Sequence, residues 1–370
     1  MKMLLTSITA LTIGAGAALA ESPATDLSKM SWDDIVAQAQ EEGEVSWYVW
    51  YFQDRFRPVV EAFEAEYGIE VTIPEGTGQG NADKMLAERG RDVGDIDVFA
   101  WGFNDFDTVD VTELFLPLDM LPEDEGRVGE LLGVDGKGHV VAYWGNQTGI
   151  AYDPAHVDEA DLPQTADEIA AFWAENPGKF GFNYEKGGSG PSFFQNMIRV
   201  TADLDMADGE VSDARLTAAE KGFALFQEQA DDFVVTASNV DSITRLSDGE
   251  LWMVPAWEDH LAGLQNNGEV RGDIKFYIPE FGMNGGGNGV AIPVNAPNPA
   301  AAAVLIHWLT SADVQTMFNQ TFGTAPMHAE ADDSAALVPN AQRANQTAWG
   351  AQPFRGELEK AFIEQVILER

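Results

Sequence analysis

Tryptophans stand beside carboxylates at two places where predicted strands end. Trp101 is followed by Asn104 and Asp105. Trp257 is followed directly by the pair Glu258-Asp259. An indole face next to a carboxylate attracts an ammonium or quaternary amine, with a cation–π contribution of about 0.5–2 kcal/mol. The same pairing suits a sugar or polyol, whose C–H face stacks on the ring while Asp and Asn bind hydroxyls. The pattern predicts a polar-ligand site and leaves these two ligand classes open.

Ligands of doubly wound sheets bind beyond the carboxyl ends of the strands, where loop side chains and backbone N–H groups converge. Applied to the strands predicted here, this rule extends the candidate site well beyond the two tryptophan–carboxylate groups. The candidate ligand-binding residues are Trp50, Tyr51, Trp101, Asn104, Asp105, Trp144, Asn146, Tyr184, Ser189, Ser192, Trp257, Glu258 and Asp259. The tryptophans predicted to lie in the core instead are Trp47, Trp173, Trp252 and Trp308.

A glycine-rich loop spans residues 187–192 and runs into a predicted helix. Free N–H groups and the positive end of the helix dipole at such a place suit a carboxylate, sulfonate or phosphate. No Gly-Lys-Ser/Thr follows, so the loop is not a nucleotide-binding P-loop. A tight turn in which Ser192 caps the helix explains the same residues. If the loop binds an anion and the tryptophan sites bind an amine, the ligand is amphoteric or phosphorylated.

Catalytic and metal-binding patterns are missing from the sequence. The five histidines show no H-E-x-x-H spacing, and Ser189 lies in Gly-Ser-Gly rather than in a G-x-S-x-G elbow. Glu258 and Asp259 are adjacent, so on a strand they point to opposite faces and do not flank one bond. The chain has no cysteine and hence no thiolate metal site. We predict no catalytic residue, no metal and no cofactor, with a secreted hydrolase as the alternative of another class.

Short strands and helices must position these residues. Residues 45–50 form a β-branched and aromatic run, and apolar residues at helical spacing follow up to Gly68. The order β-α-β-α-β continues to residue 100 and predicts a mostly parallel sheet. A second series begins at the capping box Thr165-Ala166-Asp167-Glu168. The glycine run 283–289 suits a crossover between rotating lobes or an ordinary surface loop.

The charge balance is strongly acidic, with 61 Asp and Glu against 21 Lys and Arg and a net charge of −40 over 370 residues. Such a field repels nucleic acid and anionic lipid surfaces. It attracts cations at low salt, and it also fits an acidic surface adapted to a saline habitat. The length predicts two domains. Since 45% of the residues are hydrophobic, each domain can bury an ordinary core.

The amino terminus is predicted to be a signal peptide over residues 1–20. Lys2 precedes an apolar stretch, and Ala18-Leu19-Ala20 forms a small-x-small cleavage pattern before Glu21. A membrane anchor is the alternative, but a polar segment follows and no second apolar run occurs. No cysteine lies at the cleavage site, so no lipid anchor is expected. Cleavage after Ala20 predicts a periplasmic protein.

Several motifs in order along the chain resemble those of the type II periplasmic binding proteins. Residues 149–154 (GIAYDP) after Trp144-Gly145 look like the first interlobe crossing of that family, and residues 162–168 (LPQTADE) resemble its next helix opening. Residues 176–180 (NPGKF) and 248–253 (DGELWM) are similar to turns in its second lobe. Residues 289–293 and 300–315 resemble its return crossing and the helices that follow.

The resemblance covers roughly residues 40–330 and is closest to the branch of polyamine, thiamine and iron carriers. It implies an α/β fold of two doubly wound lobes with mixed sheets, joined by two crossings. On that template the first lobe is 21–146 and 290–370 and the second is 147–289. It implies a monomer that delivers a small-molecule ligand to the membrane permease of an ABC importer. The adjacent tyrosine pair of the iron carriers is missing from the second half, which argues against ferric iron.

Overall fold

The computed structural model describes residues 27–369, so the predicted signal peptide lies outside the described part of the chain. Strands and helices alternate along it. The strands are β1 Glu44–Tyr48, β2 Glu70–Thr72, β3 Val98–Gly102, β4 Glu130–Leu131, β5 Val134–Asp135, β6 Val141–Trp144, β7 Thr148–Tyr152, β8 Phe180–Asn183, β9 Phe233–Thr236, β10 Met253–Trp257, β11 Lys275–Tyr277, β12 Met283–Asn284, β13 Asn288–Ala291 and β14 Gln346–Thr347. The α-helices are α1 Trp32–Glu42, α2 Gln53–Tyr67, α3 Gly78–Glu88, α4 Val111–Leu114, α5 Ala166–Glu175, α6 Ser189–Ala202, α7 Asp213–Glu228, α8 Asn239–Ser247, α9 Glu258–Asn266, α10 Pro299–Leu309, α11 Ala312–Phe322 and α12 Phe354–Phe362.

The first sheet has the strand order β2-β1-β3-β13-β6. β1 runs parallel to β2 and to β3, whereas β13 runs antiparallel to both of its neighbours. In β1, Val45 and Trp47 are buried while the residues between and after them are at most half-buried. This alternation is the period-two pattern of a strand that packs one face on a core. Trp47 is fully buried, as the sequence predicted.

The second sheet has the order β11-β7-β10-β8-β9 and mirrors the first. β8 is parallel to β9 and β10, and β7 is antiparallel to β10 and β11. Three neighbouring strands are parallel in each sheet, β2-β1-β3 in the first and β10-β8-β9 in the second. The strand next to them, β13 or β7, is antiparallel and follows a crossing from the other sheet. Both sheets are mixed, and the predicted α/β fold with two doubly wound lobes is confirmed.

Local sequence sets the helix ends that position the strands. The predicted capping box is present: the Thr165 hydroxyl accepts the Glu168 N–H, and the Glu168 carboxylate accepts the Thr165 N–H. Gly68 ends α2 in the left-handed region at φ 72°. Phe52 occupies the same region at φ 53° just before α2, a conformation that costs a non-glycine residue roughly 1–3 kcal/mol.

The glycine run 283–289 is buried and paired rather than a loose surface loop. Gly285 bridges to Gln147 of the first crossing, so the two crossings lie side by side. Gly287 has φ 103°, and a Cβ on it would stand 2.3 Å from the carbonyl oxygen of Trp144. Only glycine fits such a close approach of two backbones.

The chain passes between the sheets a third time, after α11. Ala325 bridges to Gly145, and β14 pairs with β12 in parallel. The residues that follow then pack in the core of the second sheet, among them Phe354, Leu358 and Phe362. The family template assigned residues 290–370 to the first lobe. In the structure, the apolar face of α12 packs against α6 and α7 of the second lobe.

Three clusters of buried apolar residues hold the molecule together. One belongs to the second sheet, and the other two cover the two faces of the first sheet. The tryptophans predicted to be in the core include Trp173 and Trp308, which are 0% and 6% exposed. Between residues 27 and 369, no helix combines the length and the apolar character that crossing a bilayer requires.

Candidate functional site

The carboxyl ends of the parallel strands in both sheets point toward the crossings. In the first sheet, Gly102 at the end of β3 pairs with Asn288, the first residue after the second crossing. In the second sheet, Trp257 at the end of β10 pairs with Thr148, the first residue after the first crossing. The loops that follow these strands therefore meet between the two lobes, where the fold rule places a ligand.

Two tryptophans form the first-lobe side of this cleft. Trp50 follows β1 and is half-buried. Its indole packs against Gly78, where a Cβ would lie 3.3 Å from the ring. Trp101 is the residue before the last of β3, is half-buried, and packs against Phe106 with 5.6 Å between ring centroids. Each indole is thus supported by the lobe on one side and only partly covered on the other.

Asn104 and Asp105 lie beside these rings in the 3-10 helix Phe103–Thr108. The Asn104 amide donates a hydrogen bond to Asp105 Oδ1 over 3.3 Å. Burial raises the pKa of the Asp105 carboxyl, and the guanidinium of Arg355 acts in the opposite direction. Arg355 is in α12, which packs on the second sheet, so a positive charge on the second lobe lies near Asp105.

A pair of tryptophans forms the second-lobe side. Trp257 and Trp349 have ring centroids 6.3 Å apart, with 35° between the ring planes. Their edges meet above Gly188, where a Cβ would lie 3.2 Å from Trp257 and 3.5 Å from Trp349. The guanidinium carbon of Arg355 stands 5.4 Å from the centroid of the Trp349 ring. Glycine at position 188 keeps the approach to both rings open.

Sequence reasoning missed Trp349 and Arg355 because both lie beyond the stretch that resembles known crossings. A signal was present nonetheless. Trp349 sits among Asn, Gln, Thr and Gly with no apolar periodicity around it, which is typical of a loop tryptophan rather than of a core residue. Such a residue has to be placed by the fold, because the chain returns to the second lobe only after α11.

The amide of Asn288 lies on the floor of the cleft. Asn288 is opposite Gly102, and a Cβ on Gly102 would lie 2.5 Å from Asp105 Oδ2. Opposite residues of an antiparallel pair share a face, so Asn288 lies on the face of the sheet toward which a Cβ on Gly102 would point. Asn288 is 3% exposed, and its Nδ2 has no hydrogen-bond partner among residues 27–369. The Tyr51 hydroxyl lies beside this amide without a well-formed hydrogen bond to it.

Ser189 and Ser192 are fully buried, in contrast to their expected ligand contacts. The Ser189 hydroxyl donates to Asn239 Oδ1 over 2.7 Å. The Ser192 hydroxyl lies 2.7 Å from the Thr148 hydroxyl and accepts the backbone N–H of Asn284. These bonds tie the start of α6 to α8 and to both crossings. The turn interpretation of the glycine-rich loop explains these two side chains better than anion binding does.

Glu258 and Asp259 begin helix α9 rather than continuing a strand. Both Glu258 oxygens accept hydrogen bonds from Arg343 at 2.9 Å, and the Leu337 N–H adds another. Burial raises the pKa of Glu258, and the Arg343 charge opposes the shift. The sequence predicted that both carboxylates contact the ligand. Both are instead buried with internal partners and do not reach the cleft.

Trp144 and Tyr51 are also engaged inside the protein. The Trp144 indole is fully buried and donates to Asp259 Oδ2 over 3.1 Å. Burial raises the pKa of Asp259 to about 6, and the hydrogen bond from Trp144 partly offsets that effect. The Tyr51 and Tyr143 hydroxyls lie 2.7 Å apart, and burial raises the pKa of Tyr51. These residues form the joint behind the cleft.

Tyr184 and Asn146 complete the predicted set. Tyr184 follows β8 and packs partly buried against the core of the second sheet. Asn146 lies in the first crossing and lines a separate cavity of about 270 Å³, together with His328 and Gln346. Among residues 27–369, no three His, Asp or Glu side chains are arranged so that they hold a metal ion. Of the predicted residues, Trp50, Trp101, Asn104, Asp105 and Trp257 lie half-buried at or just after strand ends that point toward the crossings. Gly188, Asn288, Trp349 and Arg355 lie close to members of this set or to one another.

Comparison with known proteins gives one family match. The model described as bacterial extracellular solute-binding protein matches residues 59–345. A search of curated proteins gives no match.

Solved structures share the fold over nearly their whole length. PotD, the substrate-binding protein of a spermidine/putrescine ABC transporter from Streptococcus pneumoniae, is 14% identical with a TM-score of 0.67, covering 88% of this chain and 99% of that one. Iron-bound HitA from Pseudomonas aeruginosa is 18% identical with a TM-score of 0.61, covering 87% and 99%. The Atu4243-GABA receptor is 18% identical with a TM-score of 0.62, covering 87% and 97%. At these identities the likeness shows the type II periplasmic binding protein fold.

Proposed function

This chain belongs to the bacterial extracellular solute-binding protein family, and from that premise we infer that it captures a small polar solute between its lobes. The lobes close over the solute, and the closed form delivers it to the membrane permease of an ABC-type importer. The observation that carries this proposal is the cleft between the two sheets, with the Trp257–Trp349 pair on one side and Asp105 on the other.

The ligand we favour bears an amine or is amphoteric. Indole faces attract cations, and the attraction grows in a site shielded from water. Asp105 is a carboxylate in a partly buried position, where a neighbouring positive charge stabilises its ionised form. An ammonium group held between Asp105 and the indoles meets both requirements.

A sugar or polyol is the second candidate ligand. Its C–H face stacks on an indole in the same way, and the amide of Asn104 and the carboxylate of Asp105 offer donors and acceptors for hydroxyls. The free donor of Asn288 supports this alternative as well, because it suits any oxygen-bearing ligand.

Catalysis is the role that we do not propose. Glu258 is bound to Arg343 and Asp259 to Trp144, so these adjacent carboxylates are not available as an acid–base pair. A secreted hydrolase stays the alternative of another class. Turnover of a chromogenic glycoside or ester by the purified protein would establish it.

Export as a monomer to the periplasm follows from the predicted signal peptide and from the family. The expected mature protein begins at Glu21. Amino-terminal sequencing of the exported protein tests this cleavage site. A first residue before Glu21, or a chain retained in the membrane fraction, would contradict it.

Ligand screening tests the transport role. A thermal-shift panel of polyamines, amino acids, betaines, polyols, sugars and vitamins is measured on the mature protein. A true ligand at 100 times its Kd adds roughly 2.7 kcal/mol of stability, which raises the Tm by several degrees. Replacement of Trp257 by Ala is expected to abolish the best hit. Trp252, which directly precedes β10 and stacks on His156, provides the matched control Trp252→Ala. A panel without any hit, or equal binding by both variants, counts against the cleft.

A further inference from the structure

The guanidinium of Arg355 is unusual for so acidic a molecule. Among residues 27–369 this guanidinium forms no hydrogen bond and no ion pair, although the chain contains 61 acidic residues. It lies over the Trp349 ring, and its charge acts on Asp105 and on Glu359. Glu359 accepts a hydrogen bond from Gln195 and forms no salt bridge with Arg355 in the described part of the chain.

Asp105 presents the opposite charge from the other lobe, and it also lacks an ion-pair partner in the described chain. Its carboxylate accepts a hydrogen bond from the Asn104 amide and lies next to Gly102, which has no side chain. Arg355 and Asp105 are close enough for their charges to interact, yet no salt bridge joins them. Two partly buried opposite charges that do not touch leave room for a molecule that pairs with both.

A third polar group points to a ligand independently of these charges. The Nδ2 group of Asn288 is buried beside the Tyr51 hydroxyl, on the residue opposite Gly102, and makes no well-formed hydrogen bond within residues 27–369. A buried donor without a partner costs about 1–3 kcal/mol unless a ligand or water accepts its hydrogen bond. Because Asn288 begins β13 at the second crossing, an oxygen of the ligand is well placed to accept from it.

We propose that the solute is a zwitterion that spans the cleft, with its ammonium group on Asp105 and its carboxylate on Arg355. This deepens the transport role above and rests on it. The planar guanidinium fork matches a carboxylate through two parallel hydrogen bonds. The Trp257–Trp349 pair covers the carbon chain between the charged ends. The third passage of the chain brings Arg355 to the site, so the ligand connects the first lobe to the carboxy-terminal helix of the second.

Matched ligands separate the two charges. Isothermal titration is carried out with ω-amino acids from glycine to 6-aminohexanoate, because this series varies the distance between ammonium and carboxylate. Putrescine and butyrate are the controls that keep only one kind of charge on a four-carbon chain. We expect one ω-amino acid to bind at least tenfold more tightly than either control, since each charge-assisted contact contributes about tenfold or more.

Variants then assign each end. Arg355→Gln is expected to lower the affinity for the best ω-amino acid about 10- to 100-fold and to remove its advantage over putrescine. Asp105→Asn is expected to remove its advantage over butyrate instead. Lys360→Ala is the matched control, because it deletes an exposed positive charge from the same helix and should leave the affinity unchanged. Opposite selectivity changes in two folded variants do not arise from misfolding.

The outcomes distinguish this inference from the transport role. If putrescine, butyrate or a polyol binds as tightly as every ω-amino acid, or if Arg355→Gln leaves affinity unchanged, the zwitterion proposal is overturned. If the compound that binds the wild-type protein then fails to bind Trp257→Ala, solute capture in the cleft is still supported. If no compound of the wider panel binds the wild-type protein, both proposals fail together.

Discussion

The indole of Trp144 donates a hydrogen bond to the carboxylate of Asp259 across 3.1 Å, and this bond joins the two lobes. Trp144 ends β6 at the first crossing, and Asp259 lies in the first turn of α9 beside the second sheet. Asp259 is 6% exposed and Trp144 is fully buried. A charge-assisted hydrogen bond in such a place holds the base of the cleft rather than its mouth.

Replacing Asp259 by Asn is expected to change how stability depends on pH. Burial raises the pKa of Asp259 from 3.8 to about 6, so the folded state binds this proton more tightly than the unfolded state does. The contribution of Asp259 is therefore fully present below pH 4 and is lost as the pH rises to about 6. Asp259→Asn should gain up to roughly 3 kcal/mol relative to wild type between pH 3 and pH 8. Urea unfolding at both pH values measures it.

Asp231→Asn is the control for this pH experiment, because Asp231 is exposed. An exposed side chain contributes little to stability, so Asp231→Asn should change the free energy of unfolding by less than about 0.5 kcal/mol. A constant difference between Asp259→Asn and wild type at both pH values would show that Asp259 does not titrate differently in the folded protein.

Arg343→Ala is expected to destabilise the protein strongly. Nη2 of Arg343 donates to both carboxylate oxygens of Glu258, whose side chain is 1% exposed. Removing one partner of a buried pair leaves an uncompensated charge and costs about 3–5 kcal/mol. The free energy of unfolding at pH 7 measures this loss. Arg245→Ala is the control, since its partner Glu250 is largely exposed and only a small change is expected. Equal losses in the two variants would contradict the prediction.

Gly287→Ala tests the contact between the crossings. A Cβ at this position meets the carbonyl of Trp144 at 2.3 Å, and φ 103° is unfavourable for alanine. We expect the free energy of unfolding to fall by at least about 2 kcal/mol, together with weaker solute binding. Chemical unfolding and titration of the best ligand measure both effects. Gly129→Ala is the control, because a Cβ there meets nothing within 4 Å. A Gly287→Ala protein as stable as Gly129→Ala refutes the prediction.

Phe362→Ala tests the attachment of the carboxy-terminal helix to the second lobe. Phe362 is fully buried and stacks on Phe194 of α6, with 4.2 Å between ring centroids. Truncation of a buried phenylalanine costs about 3–5 kcal/mol. Leu368→Ala should have little effect, because Leu368 is 68% exposed. A loss below 1 kcal/mol for Phe362→Ala would mean that α12 adds little to the core of the second lobe.

Local patterns account for the parts of the fold that the sequence predicted well. The strand at Val45–Trp47 and the capping box at Thr165 depend on residues close together in the chain. Helix α2 and its end at Gly68 follow from apolar spacing and from a glycine in the left-handed region. The order of strands and helices predicted an α/β sheet for the same reason, whereas the two lobes were predicted from the resemblance to the type II periplasmic binding proteins.

The candidate site was predictable only in part. Strand-end position predicts that Trp101 and Trp257 contact the ligand, and the structure leaves both half-buried at strand ends near the crossings. The same rule selected Ser192 and Glu258, which the structure buries. Position along a strand does not show whether a polar side chain meets solvent or an internal partner, since its partners come from distant segments such as Asn284 and Arg343.

The sequence by itself determined the acidic character and the alternation of strands and helices, since each depends on composition or on short-range periodicity. The two-lobed class was predicted from the ordered motifs that resemble a known family. Only the tertiary structure decided which polar residues face the cleft. It brought Arg355 and Trp349 opposite Asp105, some 250 residues earlier in the chain, through the third passage between the sheets. It also assigned Trp144 and Asp259 to the joint between the lobes. The physical reason is that hydrogen bonds and charge interactions depend on distance in space, which the packing of separate segments sets.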